Sequence, residues 1–361
     1  MAESALGKWS GRARYALRQG TRVAWFTAHA AALRRITRRL SRDLPPPPVR
    51  VPEGLSTPDR RALLLDIAAL FRRDLANVEA GVYPMPRGDF GPPLAFLDLS
   101  RRFLEDVPKV VRRRAEGGHQ EVLSQAGEAA RGLPRYYRQN FHFQTDGWLS
   151  AESAALYDFQ VEVLFSGATS AMRRQGLVRL GEIVRATDQR RLAFADIACG
   201  TGGFLLSALE AFPRLPATGV DLSAAYIGHA RDRVRRRDAR RTRFVSAAAE
   251  ALPFADASHD VLSAVFLFHE LPPKVRRAAA AEFARVLRPG GRLIFIDSLQ
   301  TGDRPEFDGL LAVFPQMMHE PYYGSYLEED LDGLFAERGL VQESFDTAFL
   351  SRVVTYRRDD R

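Results

Sequence analysis

Cysteine is almost absent. Cys199 is the only one in 361 residues, which excludes an intrachain disulfide and any cysteine-based zinc cluster. A reducing, cytoplasmic setting is the default expectation. Lysine is scarce too: Lys8, Lys109 and Lys274 stand against a large excess of arginine. Long apolar runs are missing. The best, Val23 to Leu33, holds His29 and is flanked by arginines, well short of the ~20 residues that span a bilayer. We expect no transmembrane helix, and the run starts too deep for a cleavable secretory signal. The histidines are scattered, with no HxH or HExxH pair, so no metal site is expected.

Acid is lacking at the start. Between Ser4 and Arg42 there are ten basic residues and no Asp or Glu, so with Glu3 residues 1–42 carry +9 of the net +8, and the other 319 carry −1. The basic character therefore belongs to an arm. Trp9, Tyr15, Leu17, Val23, Trp25, Phe26, Leu33, Ile36 and Leu40 interleave with its charges and make residues 8–42 amphipathic. Three readings are open: a helix packed on its own protein, a peripheral contact with an anionic membrane, and, ranked last, nucleic acid. No obligate protein partner is expected.

Pro45 to Pro48 form a stiff break. Helical spacing returns at Thr57–Val78, Leu94–Glu116 and Ala151–Ala186, with a polar helix near Gln120–Arg131. After Arg190 short apolar runs alternate with helical patterns, the signature of βαβ units and a mostly parallel sheet. Strands are expected at Leu192–Ile197, Ala217–Asp221, Arg243–Ser246, Val261–Phe266 and Arg292–Asp297. A closing antiparallel hairpin is expected near Val341–Phe345 and Leu350–Tyr356. Helices are expected at about Gly203–Phe212, Ala224–Arg236, Pro273–Val286 and Leu327–Arg338, with Pro289-Gly290-Gly291 as a tight turn.

Chemistry concentrates after the first strand. In Asp196-Ile197-Ala198-Cys199-Gly200-Thr201-Gly202, the glycines allow a sharp turn and bring peptide N–H groups close to a ligand. Asp221 ends the next strand, where an acid can accept hydrogen bonds from both hydroxyls of a ribose; the other reading is a helix cap. His269 and Glu270 follow the fourth strand, at the carboxyl edge where α/β sheets bind ligands. His269 suits a proton-accepting role, and the alternative is that the pair merely caps the strand and the next helix. Tyr136 to Trp148 gathers five aromatics with His142, Gln144 and Asp146. That segment either covers the cleft, with Tyr137, His142 and Gln144 on a substrate, or fills a seam between domains. Asp303–Tyr326, with Met318 and Tyr322, reads as an apolar lid or as core packing.

Four motifs in order resemble class I S-adenosylmethionine-dependent methyltransferases, closest in character to those of ubiquinone and menaquinone synthesis. They are Asp196 to Gly202, Gly219-Val220-Asp221-Leu222-Ser223, Glu250-Ala251-Leu252-Pro253-Phe254 with Asp260-Val261, and Leu287-Arg288-Pro289-Gly290-Gly291. The resemblance covers about 190–358. It implies an α/β fold, with a Rossmann-like seven-stranded sheet, mostly parallel and ending in an antiparallel hairpin, behind a mainly helical N-terminal extension. Charge, the proline break and helical patterning add a basic arm over 1–44 and a helical region over 49–150, ahead of a catalytic domain over 151–361 with its lid insertion at about 303–326. S-adenosyl-L-methionine is the implied cofactor. Gly200 and Gly202 would flank its methionine and ribose portions, Asp196 would support the loop, and Cys199 would sit in it as a small residue. Asp221 and Leu222 would meet the ribose, and Ala249 and Glu250 the adenine. The implied reaction methylates a small lipophilic or aromatic, quinone-like acceptor. Two alternatives are an RNA or DNA methyltransferase using the arm and an inactive cofactor-binding module. One departure is visible: Ala248 stands where the family often has an adenine-binding Asp.

Overall fold

A computed structural model describes residues 5–87, 93–122, 130, 132–236 and 241–360. Most of the polar helix expected near 120–131 lies outside them. Five helices come first: α1 (Ala5–Leu40), α2 (Arg60–Glu79), α3 (Pro93–Glu116), α4 (Ala151–Leu164) and α5 (Thr169–Arg185). The alternating part follows: β1 (Phe194–Ile197), α6 (Gly203–Ala211), β2 (Ala217–Asp221), α7 (Ala224–Arg236), β3 (Thr242–Ser246), β4 (His259–Val265), α8 (Pro273–Val286) and β5 (Leu287–Ser298). The lid region holds α9 (Asp308–Met317) and α10 (Tyr323–Leu327), and α11 (Leu331–Ala336) leads to β6 (Leu340–Ala348) and β7 (Ser351–Arg358). Among the described residues no helix is long and apolar enough to cross a membrane.

The seven strands run in the order β3-β2-β1-β4-β5-β7-β6. β7 lies antiparallel to both neighbours, and the pairings from β3 to β5 are parallel. This is the Rossmann-like mixed sheet with its terminal hairpin. Two corrections concern its edges. Pro289-Gly290-Gly291 is not a turn ahead of β5 but part of it: Leu287 already pairs with His259, and the register shifts before Val261 meets Arg292. Gly290, at φ 73°, makes that irregularity possible. The helix expected over 327–338 is shorter, because Asp330 caps α11 by accepting from Gly333 N at 2.9 Å and Leu327 belongs to α10.

Both sheet faces are covered. On one, Phe268, Phe283, Phe295, Phe335 and Tyr356 pack together, all fully buried. On the other, Met172, Leu177 and Leu180 of α5 meet Phe194, Ile294 and Ile296, and α2 adds Ile67 and Leu70. The amphipathic helix α1 is packed rather than free: Phe26 is fully buried with Phe103 of α3 and Phe159 of α4. A buried carboxylate joins these helices. Asp74 of α2 accepts from Arg174 Nε and Nη2, both at 2.8 Å, from Tyr83 Oη at 2.7 Å, and from Tyr15 Oη. The lid helix is held from outside. Gln316 exchanges two 2.9 Å hydrogen bonds with the Arg50 backbone, Arg304 pairs with Asp66 at 2.8 Å, and a Cβ on Gly309 would come within 2.3 Å of Ser56 O.

Candidate active site

The strand order reverses between β1 and β4, and a cavity lies at their carboxyl ends, where this topology leaves a crevice. The loop after β1 is shaped by left-handed residues: Ala198 at φ 54°, Gly200 at 54° and Gly202 at 81°. A Cβ on Gly200 would meet no atom within 4 Å, so that peptide faces open space. Gly202 differs from expectation. It lies outside the cavity wall, and a Cβ there would touch Ala230 at 3.3 Å, so its smallness serves the packing of α6 against α7.

Asp221 fastens the loop. Its Oδ2 accepts from Gly200 N and its Oδ1 from Ser223 N, each at 2.8 Å. The capping of α7 falls to Ser223, whose Oγ accepts from Tyr226 N at 3.2 Å, and Asp221 lines the cavity. Burial pushes its carboxyl up to about 6 against the pull of those N–H groups. Asp196 lies at the cavity floor and accepts from Ser263 Oγ at 2.6 Å; burial raises it to about 7. Cys199, Leu222, Ala248, Ala249 and Glu250 also line this space. Tyr136 donates to Glu250 Oε1 at 2.6 Å, whereas the buried Glu250 Oε2 has no donor among the described residues. An orphaned acceptor and a side-chain-free peptide on one cavity fit an adenosyl ligand, and Glu250 brings a carboxylate to the wall where Ala248 has none.

Sequence reasoning missed the groups that α4 and α5 bring. Arg173 of α5 lines the cavity across the first turn of α6, where its Nη1 would lie 2.5 Å from a Cβ on Gly203. Asp158 of α4 orients it at 3.1 Å and also accepts from Arg233 at 2.5 Å and Thr201 Oγ1 at 2.8 Å. Burial alone would raise Asp158, yet the two guanidiniums hold its carboxyl below the usual range. Arg173 thus presents an oriented cation that can meet a ligand carboxylate. No local signal marked it, since the same helix also carries Arg174, Arg179, Glu182 and Arg185.

A second cavity opens beyond Tyr157, Phe266 and Glu270, which line both spaces. Its wall is mostly apolar, drawing Leu33 from α1, Phe103 and Val107 from α3, Leu164 from α4, and Leu311 and Phe314 from α9. Phe266, at φ 57°, is a non-glycine residue in a left-handed conformation costing about 1–3 kcal/mol, placed at the partition. His142, Gln144, Met318 and His269 line this second cavity as well. Two expected substrate contacts lie elsewhere. Tyr137 borders the first cavity, its ring 5.3 Å from that of Trp148. Tyr322 lines neither and accepts from Gln139 Nε2 at 3.4 Å. Gln144 is largely committed already, donating to Tyr226 Oη at 3.1 Å and to Ser153 Oγ.

Asp297, fully buried, accepts from Leu267 N and Phe268 N at 3.1 and 2.7 Å through Oδ2, while Oδ1 faces His269 Nδ1. The opposite ring nitrogen lies 3.6 Å from Glu270 Oε1. Burial works to lower His269, but the Asp297 carboxylate outweighs it and raises the imidazole to about 9. At neutral pH the ring is therefore a held imidazolium, not the near-neutral base anticipated. Burial and the neighbouring Glu320 push Glu270 upward. Glu320 itself would also rise on burial but is drawn below the usual range by His142.

Residues 194–291 match a family model described as a methyltransferase domain. A ubiquinone/menaquinone biosynthesis C-methyltransferase from Methylobacterium nodulans is 32% identical over 145 residues, 40% of this chain and 55% of that protein. A demethylmenaquinone methyltransferase from Thermus thermophilus is 31% identical over 147 residues, 41% of this chain and 63% of that one. The chain thus spans less than two thirds of the length of these relatives. A solved SAM-dependent methyltransferase from Aquifex aeolicus aligns over 51% of this chain and 92% of its own, with 15% identity and a TM-score of 0.38. With the glycine loop, Asp221 and the mixed sheet in place, residues 194–291 match a methyltransferase domain and are similar in sequence to the ubiquinone/menaquinone methyltransferases.

Proposed function

We propose that this chain transfers the methyl group of S-adenosylmethionine to a small, lipophilic, aromatic acceptor of quinone-like character seated in the second cavity. The observation that carries this reading is the shared partition: a cavity carrying the carboxylates of Asp196, Asp221 and Glu250 and a mostly apolar one meet at Tyr157, Phe266 and Glu270. The cofactor supplies an electrophilic methyl on a sulfonium. Transfer needs the acceptor's nucleophilic atom held in line with that carbon and water excluded, which is a task of positioning. Asp221 would accept from the ribose hydroxyls, Glu250 would face the adenine, and Arg173 would pair with the carboxylate. Leu311, Phe314 and Met318 would hold the acceptor's flat apolar body, with Glu270 where its proton leaves and the His269 ring, held by Asp297, beside it. Exposed Arg34, Arg35, Arg38, Arg39 and Arg42 on and just after α1 would give residues 8–42 a peripheral contact with an anionic membrane that stores such an acceptor. An apolar acceptor site favours this reading over a nucleic-acid substrate.

The test separates the two sites. Leu164 lines the acceptor cavity yet is 38% exposed, so Leu164→Glu places a charge against the acceptor at little cost to folding. We expect KM for the acceptor to rise at least tenfold, with the dissociation constant for S-adenosylmethionine unchanged. Equal loss for both ligands, or for neither, would sink the assignment of the cavities. Presenting the acceptor in anionic and in neutral vesicles tests the arm: equal rates would argue against membrane contact.

Cofactor binding carries its own pH signature. Asp221 and Asp196 sit at about 6 and 7 without ligand. Ribose hydroxyls and a cationic ligand favour the ionised carboxylates, so binding lowers both values. By linkage, affinity then falls as pH drops through 7 and 6, approaching tenfold per unit per group, and is flat above about 8. Calorimetry in buffers of different ionisation enthalpy should record proton release on binding near pH 6.5. Proton uptake, or a flat profile from 5.5 to 8, would contradict it.

A further inference from the structure

On the wall of the acceptor cavity, three acid–base side chains converge from separate parts of the chain. His142 comes from the 3₁₀ turn Phe141–Phe143 ahead of α4, Glu270 from the segment after β4, and Glu320 from between α9 and α10. His142 Nε2 lies 3.3 Å from Glu270 Oε1 and in direct contact with Glu320 Oε1. One ligand atom from each falls within 4.8 Å of the others. The segments are tied together: His142 N donates to His319 O at 3.1 Å. His142 itself is held at φ 55°, a conformation that aims its ring and is uncommon outside glycine.

Two carboxylates side by side in an apolar wall are costly unless something neutralises them. Glu270 is 7% and Glu320 4% exposed, and the Oε2 of each has no hydrogen-bond donor among the described residues. His269, 3.6 Å from Glu270 Oε1, is already taken by Asp297, so among the described residues His142 is the one side chain that meets both carboxylates. We infer that His142, Glu270 and Glu320 form a binding site for one divalent first-row transition cation, with its open positions facing the acceptor cavity. One imidazole and two carboxylates suit Mn²⁺ or Zn²⁺ better than a thiolate-seeking metal. Side-chain rotation within the observed span brings all three to the roughly 2.0–2.2 Å expected of such ligands. The inference rests on the proposed acceptor cavity and gives its occupant a chemistry: an oxygenated aromatic that chelates the cation through adjacent oxygens, and ionises more readily there. Glu270 then serves as a ligand, and the methyl transfer gains no redox step.

The experiment reads metal binding directly, without acceptor or cofactor, so it stands apart from failure of methyl transfer. Full-length protein freed of metal by chelation is titrated with Mn²⁺, with the free ion followed by electron paramagnetic resonance, and with Zn²⁺ by calorimetry. The expected result is one ion per chain, weakened at least tenfold by Glu320→Gln and by Glu270→Gln. Both changes keep side-chain volume and remove a repelling charge, so their melting temperatures should match or exceed that of the unaltered protein. No saturable binding of either ion, or equal affinity in the glutamine variants, overturns the site and leaves the His142 proton as the counter-charge.

Discussion

Gly200→Val should lower affinity for S-adenosylmethionine at least 100-fold while moving the thermal midpoint by only a few degrees. The reason is local. At φ 54° a β-branched residue carries strain of about 1–3 kcal/mol, and its side chain would project where a Cβ now meets no protein atom within 4 Å. The lost space is ligand space, not core. Asp221→Asn is the informative companion. It keeps the volume and one carbonyl acceptor for the Gly200 and Ser223 amides but discards the charge, so a loss of about tenfold to 100-fold is expected, from one weakened charge-assisted contact. Calorimetry with S-adenosylhomocysteine reads both. An unchanged dissociation constant for Gly200→Val would mean that the cofactor does not cross this loop.

The largest effect on stability is expected from Asp74→Ala. The carboxylate is fully buried and accepts from a bidentate Arg174 and two tyrosines. Truncation leaves Arg174 without that paired acceptor in a buried setting, a change that typically costs about 3–5 kcal/mol. The shape of the melting curve matters as much as its midpoint. Because α2 and α5 share one core with the sheet residues Ile294 and Ile296, a single transition shifted by roughly 4–7 °C is expected. An early separate transition, with the cofactor domain melting as before, would show that the N-terminal helices fold as an independent unit. Asp74→Ala combined with Arg174→Leu should recover part of the loss, since removing both partners is less costly than removing one.

These sites differ in how legible they were. β2, α7 and α8 fall where periodicity puts them, since each is bounded by its own turn residues and alternates or repeats cleanly. β5 was read too short because proline and two glycines signal a turn locally, whereas the pairing of Leu287 with His259 is a property of the neighbouring strand. The glycine loop and Asp221 could be read because a ligand-facing peptide needs a missing side chain and the acid follows at a fixed strand length. Arg173 and Asp158 could not. Their place at the cavity depends on how α4 and α5 lie over the sheet, which no local pattern encodes. The same holds for His142, Glu270 and Glu320. A search for metal ligands at short spacing passes over them, because the turn, the strand end and the lid that carry them meet only in the folded chain. Gly202, a residue of the right type at the right place in the motif, also serves helix packing, since a Cβ there would touch Ala230 at 3.3 Å.

The fastening of the lid helix limits how an acceptor can enter. Gln316 is clipped to the Arg50 backbone, Arg304 to Asp66, and Gly309 leaves no room between α9 and Ser56. A flap hinged at its two ends would have to break all three attachments. For α9 to move without breaking them, residues 50–56 and the start of α2 would have to travel with it, with the proline-rich stretch just ahead of them as the pivot. Stiffening or shortening that stretch should then govern how fast product escapes, though it lies far along the chain from every group that touches the methyl.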